Sequence, residues 1–307
     1  MTHPFRIGSR GSELALWQAH HIQSLLALNF QSLETEIKII QTTGDRDQQA
    51  SLSQIGGQGV FTKEIESALL RGEIEVAVHS LKDLPTTMDA RLTLAATPKR
   101  AHVEDVFLSR DSETHVWDLP LNATVATGSL RRKAQLLAFR GDLQIIDIRG
   151  NVPSRIRKLQ ESDWGGMILA RAGLERLGLL DHVTHTIPVE MVTPAVGQGA
   201  IGLQTRTEDT ESTEIIFQLN DVETFAAIIA ERAALRAMGG GCQVPMGAYA
   251  TCMNSILDLR MVIAHPAGLS VVKGERSGQV EEAEEIGRSL CTTLLNEGGR
   301  ELLESIR

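Results

Sequence analysis

Cys242 lies in Gly239-Gly240-Gly241-Cys242-Gln243-Val244-Pro245-Met246-Gly247, a stretch that leaves the backbone almost bare around one thiol. Three glycines admit positive φ and let a ligand lie against the main chain, and Pro245 restricts the exit. Such a loop presents its thiol. The same residues also describe a helix closed by glycine, with Cys242 packed as a small apolar side chain. The second set of candidates is basic: Arg131, Arg132, Arg149 and Arg155, with Arg10 and Lys82, all at turns that leave short apolar runs. An arginine fork grips carboxylate or phosphate bidentately, and the first N–H groups of a helix add to it. Thr127 and Ser129 can donate further hydrogen bonds, so the expected ligand carries several carboxylates. Arg131 and Arg132, taken alone, also read as solvated surface. Cations in a first helical turn oppose the helix dipole, however, and their recurrence at successive strand ends favours a ligand. Asp83 is the one acid in this lining. A carboxylate held ionised among cations is a poor general base but stabilises positive charge developing on a substrate nitrogen. Its alternative reading is an ordinary Lys82-Asp83 turn at a strand exit.

Other chemistries fit less well. Gly56-Gly57-Gln58-Gly59 lacks the Lys-Ser/Thr of a phosphate-binding loop and does not follow a strand. His20 and His21 sit inside an apolar helical pattern, and no histidine is marked out by its surroundings as a base for Cys242.

The elements that must position these residues alternate. Phe5 to Ser9 reads as a strand, Ser12 as the N-cap of a helix from Leu14 to Leu28, Thr35 to Thr42 as a strand and Val60 to Arg71 as a helix. The polar run Gly44 to Gly59 reads as a lid. Val76 to Ser80 is a strand leading into Leu81-Lys82-Asp83-Leu84-Pro85. The rhythm restarts at Thr124, with Val125 to Thr127 a strand end, Ser129 an N-cap and Leu130 to Arg140 a helix. Gln144 to Ile148 and Met167 to Ala170 follow as strands, Ser154 to Leu159 as a helix, and Arg176 lies on the last helix of this unit. Strand alternating with helix predicts parallel sheets with a ligand crevice beyond the strand carboxyl ends. Thr193 to Ala200 reads as a return crossing, after which Ile201 to Thr205 rejoins the first sheet. Val222 to Met238 is a helix running into the cysteine stretch. Strands at Ile256 to Ala264 and Ser270 to Gly274, then helices at Val280 to Leu295 and Gly299 to Ile306, close a smaller α+β domain.

Composition sets the limits. With 307 residues, two or three domains are expected. Hydrophobic content of 42% beside 22% charged residues is that of a soluble globular chain. A net charge of −9 disfavours nucleic acid and anionic membranes as partners. Three cysteines with no C-x-x-C pair disfavour a disulfide framework or a structural metal, which together with the absence of a signal peptide or apolar span predicts a cytoplasmic protein.

Seven blocks then carry a resemblance. They are Ser12-Glu13-Leu14-Ala15-Leu16-Trp17-Gln18-Ala19, Gly59-Val60-Phe61-Thr62-Lys63-Glu64, Val78-His79-Ser80-Leu81-Lys82-Asp83-Leu84-Pro85, Thr127-Gly128-Ser129-Leu130-Arg131-Arg132, Arg149-Gly150-Asn151-Val152, Ala195-Val196-Gly197-Gln198-Gly199-Ala200 and Gly240-Gly241-Cys242-Gln243-Val244-Pro245. On these the chain resembles the porphobilinogen deaminase (hydroxymethylbilane synthase) family almost end to end.

The resemblance implies an α/β fold: two periplasmic-binding-protein-like (type II) domains, 1–99 with 200–217 and 103–194, flanking a cleft, and a C-terminal α+β domain, 221–307. It implies a dipyrromethane cofactor joined by thioether to Cys242, to which four porphobilinogens are added in turn with loss of ammonia before hydroxymethylbilane is hydrolysed off. Arg10, Ser12, Lys82, Thr127, Ser129, Arg131, Arg132, Arg149, Arg155 and Arg176 would bind acetate and propionate side arms. Asp83 would hydrogen-bond pyrrole N–H groups and stabilise the azafulvene cation. Gln18, Asp45, Phe61, Gln198 and Gly199 are further neighbours of that site. No metal, nucleic acid or membrane partner is implied, and a monomer is expected. The chain departs from the family at Gln54 and Gln58, where lysines are frequent, at Gly128, where serine is, and at Gly239, where an acid is. Two rival readings remain at this stage: a carboxylate-binding protein without catalysis, which needs no thiol and is usually exported, and a cysteine hydrolase.

Overall fold

The computed structural model describes residues 3–46, 59–239 and 245–305, with only the backbone of residues 45 and 46. In chain order the first elements are β1 (Phe5–Ser9), α1 (Glu13–Asn29), β2 (Thr35–Ile39), α2 (Thr43–Arg46), α3 (Lys63–Leu70), β3 (Val76–Ser80), a 3-10 turn (Leu81–Asp83) and β4 (Leu92–Ala96). Then come β5 (Asp105–Ser109), β6 (Thr124–Ala126), α4 (Leu130–Phe139), β7 (Gln144–Ile146), α5 (Val152–Gln160), β8 (Gly166–Ala170), α6 (Arg171–Arg176) and β9 (His185–Ile187). The chain closes with β10 (Ile201–Arg206), α7 (Thr210–Phe217), α8 (Val222–Ala237), β11 (Met246–Met253), β12 (Ile256–Ala264), β13 (Val271–Gln279), α9 (Ala283–Leu294) and α10 (Arg300–Glu304).

Contacts gather these elements into two compact units, Met1–Ala101 with Ala200–Phe225 and His102–Gly199 with Ala226–Arg307. The first holds a five-stranded sheet of order β2-β1-β3-β10-β4. Phe5, Ile7, Val76, Val78 and Leu203 form its core with Ala19, Ile22 and Leu26 from one face of α1, the helical spacing the sequence displays. The second unit holds a sheet of order β7-β6-β8-β5-β9. The two sheets share one plan, and it is not the all-parallel plan predicted. In the first, β10 runs antiparallel to β3 and β4; in the second, β5 runs antiparallel to β8 and β9. Both antiparallel strands are those by which the chain enters a sheet from outside it, so no crossover helix forces them parallel.

The second unit also contains the α+β part, an antiparallel β11-β12-β13 sheet. Leu257, Leu259, Met261 and Ile263 of β12 pack against Ala230 and Ala234 of α8 and Ile286, Leu290 and Leu294 of α9. The two helices approach closely at Gly287, where an added Cβ would lie 2.1 Å from the Ala230 carbonyl oxygen. The expected domain 103–194 and, from residue 226 onward, the expected domain 221–307 thus fall in one compact unit, while residues 221–225 group with the first. Among the described residues no helix is long and apolar enough to cross a membrane.

One stacked histidine pair in this unit, a half-buried His185 against an exposed His115, carries a pH prediction. The His115 and His185 rings stack with centroids 4.4 Å apart, and no hydrogen-bond partner reaches either buried ring nitrogen of His185 among the described residues. Burial, reinforced by His115 and opposed by Asp118, pushes the His185 pKa from 6.5 down to about 4. Between those values the unfolded chain takes up a proton that the folded chain refuses, so stability falls as pH drops from 6.5 toward 4. Urea unfolding across that range should show this slope, and His185→Phe should flatten it. An unchanged slope in the variant would remove His185 as its source.

Candidate active site

In the first unit the candidates stand at the carboxyl ends of β1 and β3. Ser12 caps α1, its Oγ accepting from the Ala15 amide at 3.4 Å, while Ser9 Oγ donates to the Ala15 carbonyl at 3.0 Å. This double tie sets the turn that carries Arg10. The Arg10 guanidinium carbon lies 4.1 Å from the centroid of the Phe61 ring, a cation–π distance. Phe61 reaches this place because Gly44 makes room: a Cβ there would sit 2.1 Å from Phe61 Cε1.

Gln18, only 1% exposed, bonds Ser80 Oγ through Nε2 at 2.9 Å, and so joins α1 to the end of β3. The turn that follows is held from beneath. Leu81 and Leu84 are buried, the Leu81 amide donates to Ala200 at 3.1 Å and the Leu84 amide to Leu81 at 3.1 Å. Lys82 and Asp83, between those two anchors, are exposed. A buried chain supports the strand from behind: His79 Nε2 faces Gln204 Oε1 at 3.1 Å, and Gln204 Nε2 donates to Glu66 Oε1 at 3.0 Å.

In the second unit Ser129 caps α4, its Oγ accepting from the Arg132 amide at 3.4 Å. Thr127 precedes it and is buried, accepting from the Ser129 amide at 3.3 Å. The cap places Arg131 and Arg132 in the first turn, but not as solvated surface: both are buried. They share Asp105, the first residue of β5, which is wholly buried. Arg131 Nη1 lies 2.7 Å from Asp105 Oδ2 and donates to the Thr193 carbonyl at 2.8 Å. Arg132 reaches Asp105 Oδ1 through Nε at 3.0 Å and Nη2 at 2.7 Å, and its Nη1 donates to the Ile168 carbonyl at 3.1 Å. Burial by itself would raise the Asp105 pKa; the two guanidiniums override it and hold the carboxyl well below the usual range. Burial lowers the Arg131 pKa, with Asp105 opposing.

Gln198 completes the group, donating through Nε2 to Asp105 Oδ1 at 2.9 Å and to the Val103 carbonyl at 2.7 Å. Arg176 Nη2 donates to the Gly199 carbonyl at 2.7 Å, and burial pushes the Arg176 pKa down to about 10, so it stays charged at neutral pH. At the end of the adjoining strand β7, Arg149 Nε donates to Asp147 Oδ2 at 2.9 Å. Arg155 Nε donates to the Gly150 carbonyl at 2.7 Å, so the two arginines bracket one turn, and Asn151 Oδ1 caps α5 by accepting from Ser154 at 2.9 Å.

The candidates therefore fall into two groups: Arg10, Ser12, Gln18, Phe61, Lys82 and Asp83 in the first unit, and Thr127, Ser129, Arg131, Arg132, Arg149, Arg155, Arg176, Gln198 and Gly199 in the second. Helix α8 ends at Ala237, and Gly239 follows with φ of 90°, which is the glycine closure that the sequence allows. Cys242, Gln54, Gln58 and the side chain of Asp45 lie outside the described residues, as does most of the expected lid. Among the described residues no group of three or more His, Cys, Asp or Glu could hold a metal ion. Sequence reasoning passed over Asp105. Its one signal is an acid opening the apolar run Val106-Phe107-Leu108 in a domain rich in arginine.

Two family models match the chain: "Porphobilinogen deaminase, dipyromethane cofactor binding domain" over residues 5–214 and "Porphobilinogen deaminase, C-terminal domain" over residues 225–296. The chain belongs to the porphobilinogen deaminase family. Porphobilinogen deaminase of Syntrophomonas wolfei is 46% identical over 298 residues, which is 97% of this chain and 97% of that protein. The porphobilinogen deaminase of Desulforudis audaxviator is 46% identical over 301 residues, 98% of this chain and 97% of that one. Among solved structures, a YaeC-family lipoprotein from Enterococcus faecalis shares 14% identity at a TM-score of 0.42, covering 74% of this chain and 94% of that one.

The deaminase family's cofactor-binding domain thus spans both arginine-bearing groups, and the residues present suit an anionic cofactor. Two buried guanidiniums share one carboxylate, so one positive charge is left over. No acceptor among the described residues reaches the buried Nε of Arg131. A buried donor without a partner costs on the order of 1–3 kcal/mol, which a ligand carboxylate would recover.

Proposed function

We propose that this chain is a porphobilinogen deaminase that joins four porphobilinogens head to tail, releasing one ammonia at each step, on a dipyrromethane attached at Cys242. The observation that carries this reading is the buried Arg131–Arg132–Asp105 cluster with its surplus positive charge and unpartnered Arg131 Nε, in a chain of this family. The dipyrromethane, when bound, supplies the pyrrole α-carbon at which the first substrate is joined.

The chain's own residues do the rest. Arg131, Arg132, Arg149, Arg155 and Arg176 bind acetate and propionate groups, with Thr127 and Ser129 adding hydrogen bonds. Arg10, Ser12 and Lys82 do the same from the first unit. Asp83 stands exposed on a turn anchored by buried Leu81 and Leu84, so the backbone that carries its carboxylate is fixed before substrate arrives. It accepts from the pyrrole N–H and stabilises the positive charge that grows on that ring as the carbon–nitrogen bond to ammonia breaks. No histidine base for Cys242 is needed, because the thiol is an anchor formed once. The reading places the enzyme in the cytoplasm as a monomer.

Intact-protein mass and ammonia release test it together. The purified chain should carry a two-pyrrole increment, show a ladder of single-pyrrole additions under limiting porphobilinogen, and release ammonia in step with them. A carboxylate-binding protein would keep the arginines yet release none. An unmodified mass after reconstitution with porphobilinogen, without ammonia, would sink the proposal.

A further inference from the structure

We propose that Asp105 is a positioning residue: its one carboxylate holds the Arg131 and Arg132 guanidiniums and the Gln198 amide in fixed relation, so that ligand carboxylates meet them at one place. The inference rests on the function proposed above and concerns a residue that touches neither substrate nor cofactor.

Three separate stretches of chain converge on this carboxylate: the start of β5, the first turn of α4 and the segment 193–199. The two oxygens divide the work. Oδ1 accepts from Arg132 Nε at 3.0 Å, Arg132 Nη2 at 2.7 Å and Gln198 Nε2 at 2.9 Å; Oδ2 faces Arg131 Nη1 at 2.7 Å. Rotating the carboxylate would disturb all four contacts at once. A residue that served only to neutralise charge would need no such division.

The segment that presents Gln198 is itself tied down. The Gly197 amide donates to Glu231 Oε2 at 2.7 Å, and the other oxygen of Glu231 accepts from Ala250 at 2.9 Å. Pro194 accepts from the Ala248 amide at 3.0 Å, and Gly199 from Arg176 at 2.7 Å. Gly197 and Gly199 have φ of 71° and 84°, which lets the backbone turn twice and aim the Gln198 side chain inward. Asp105 is 0% exposed, so water does not compensate for a displaced partner. Removing the charge leaves two buried guanidiniums uncompensated, which destabilises the unit. Adding one methylene keeps the charge and moves it.

Two variants separate placement from neutralisation, and each is measured per primed molecule, with the primed fraction read from intact mass. For Asp105→Asn and Asp105→Glu, in chains that retain a cooperative melt, the expected result is a KM for porphobilinogen raised on the order of 10- to 100-fold, with kcat lowered less. The primed fraction after reconstitution should fall as well. Should Asp105→Asn fail to fold, Asp105→Glu decides the matter, because a purely neutralising carboxylate predicts wild-type KM there. Unchanged KM and priming in a folded variant overturn the inference alone. A wild-type chain that carries no two-pyrrole increment overturns the proposed function, and this inference with it.

Discussion

Asp83→Ala leaves a folded chain that turns over porphobilinogen on the order of 10²- to 10³-fold more slowly, the usual cost of removing one preorganised electrostatic partner. Folding should survive because nothing in the core depends on this side chain. Asp83 is exposed, and its turn is held by buried Leu81 and Leu84 and by the Leu81 amide donating to Ala200. The loss should fall on kcat more than on KM, since the charge that Asp83 stabilises exists fully only as ammonia departs. Asp83→Asn keeps the shape and an acceptor oxygen but not the charge, so it should lie close to the alanine variant. Stopped-time ammonia release with a parallel thermal melt makes the comparison. Near-normal turnover in either variant would reduce Asp83 to a turn residue.

Cys242→Ala should carry no two-pyrrole increment and show no turnover above background, because no sulfur is left to form the thioether. Cys291 is a poor substitute. Burial pushes the Cys291 pKa up to about 11, and with the side chain wholly enclosed it has almost no thiolate at neutral pH. Mass spectrometry of the purified variant, before and after incubation with porphobilinogen, reads the result directly. A variant that still gained two pyrroles would move the attachment point elsewhere. Inactivation of the wild-type chain by alkylation with no pyrrole adduct would instead favour the cysteine hydrolase.

The sequence made much of the local structure legible. β1, β3 and β12 lie where their residue patterns place them, and Ser12 and Ser129 cap the helices they were expected to cap. Other elements were missed: α2, β4, β5, β9, β11 and α7. Leu92-Thr93-Leu94-Ala95-Ala96 and His185-Thr186-Ile187 are short, and Met246 to Met253 begins directly after Pro245, so none shows a run of alternation long enough to stand out. The arginines stood out as candidates, while Asp105, the acid that pairs with two of them, did not.

What the sequence alone determined was the alternation of strand and helix, the caps, and which charged residues stand at strand ends. Those features arise from residues within four or so positions of one another. Only the tertiary structure decided that β5 and β10 run antiparallel within their sheets and that Arg131 and Arg132 are buried. It alone brought Asp105 onto Arg132 across 27 residues and onto Gln198 across 93. Contacts at such separations depend on how sheets assemble, and a charge's role follows from the partners and the water that folding leaves around it.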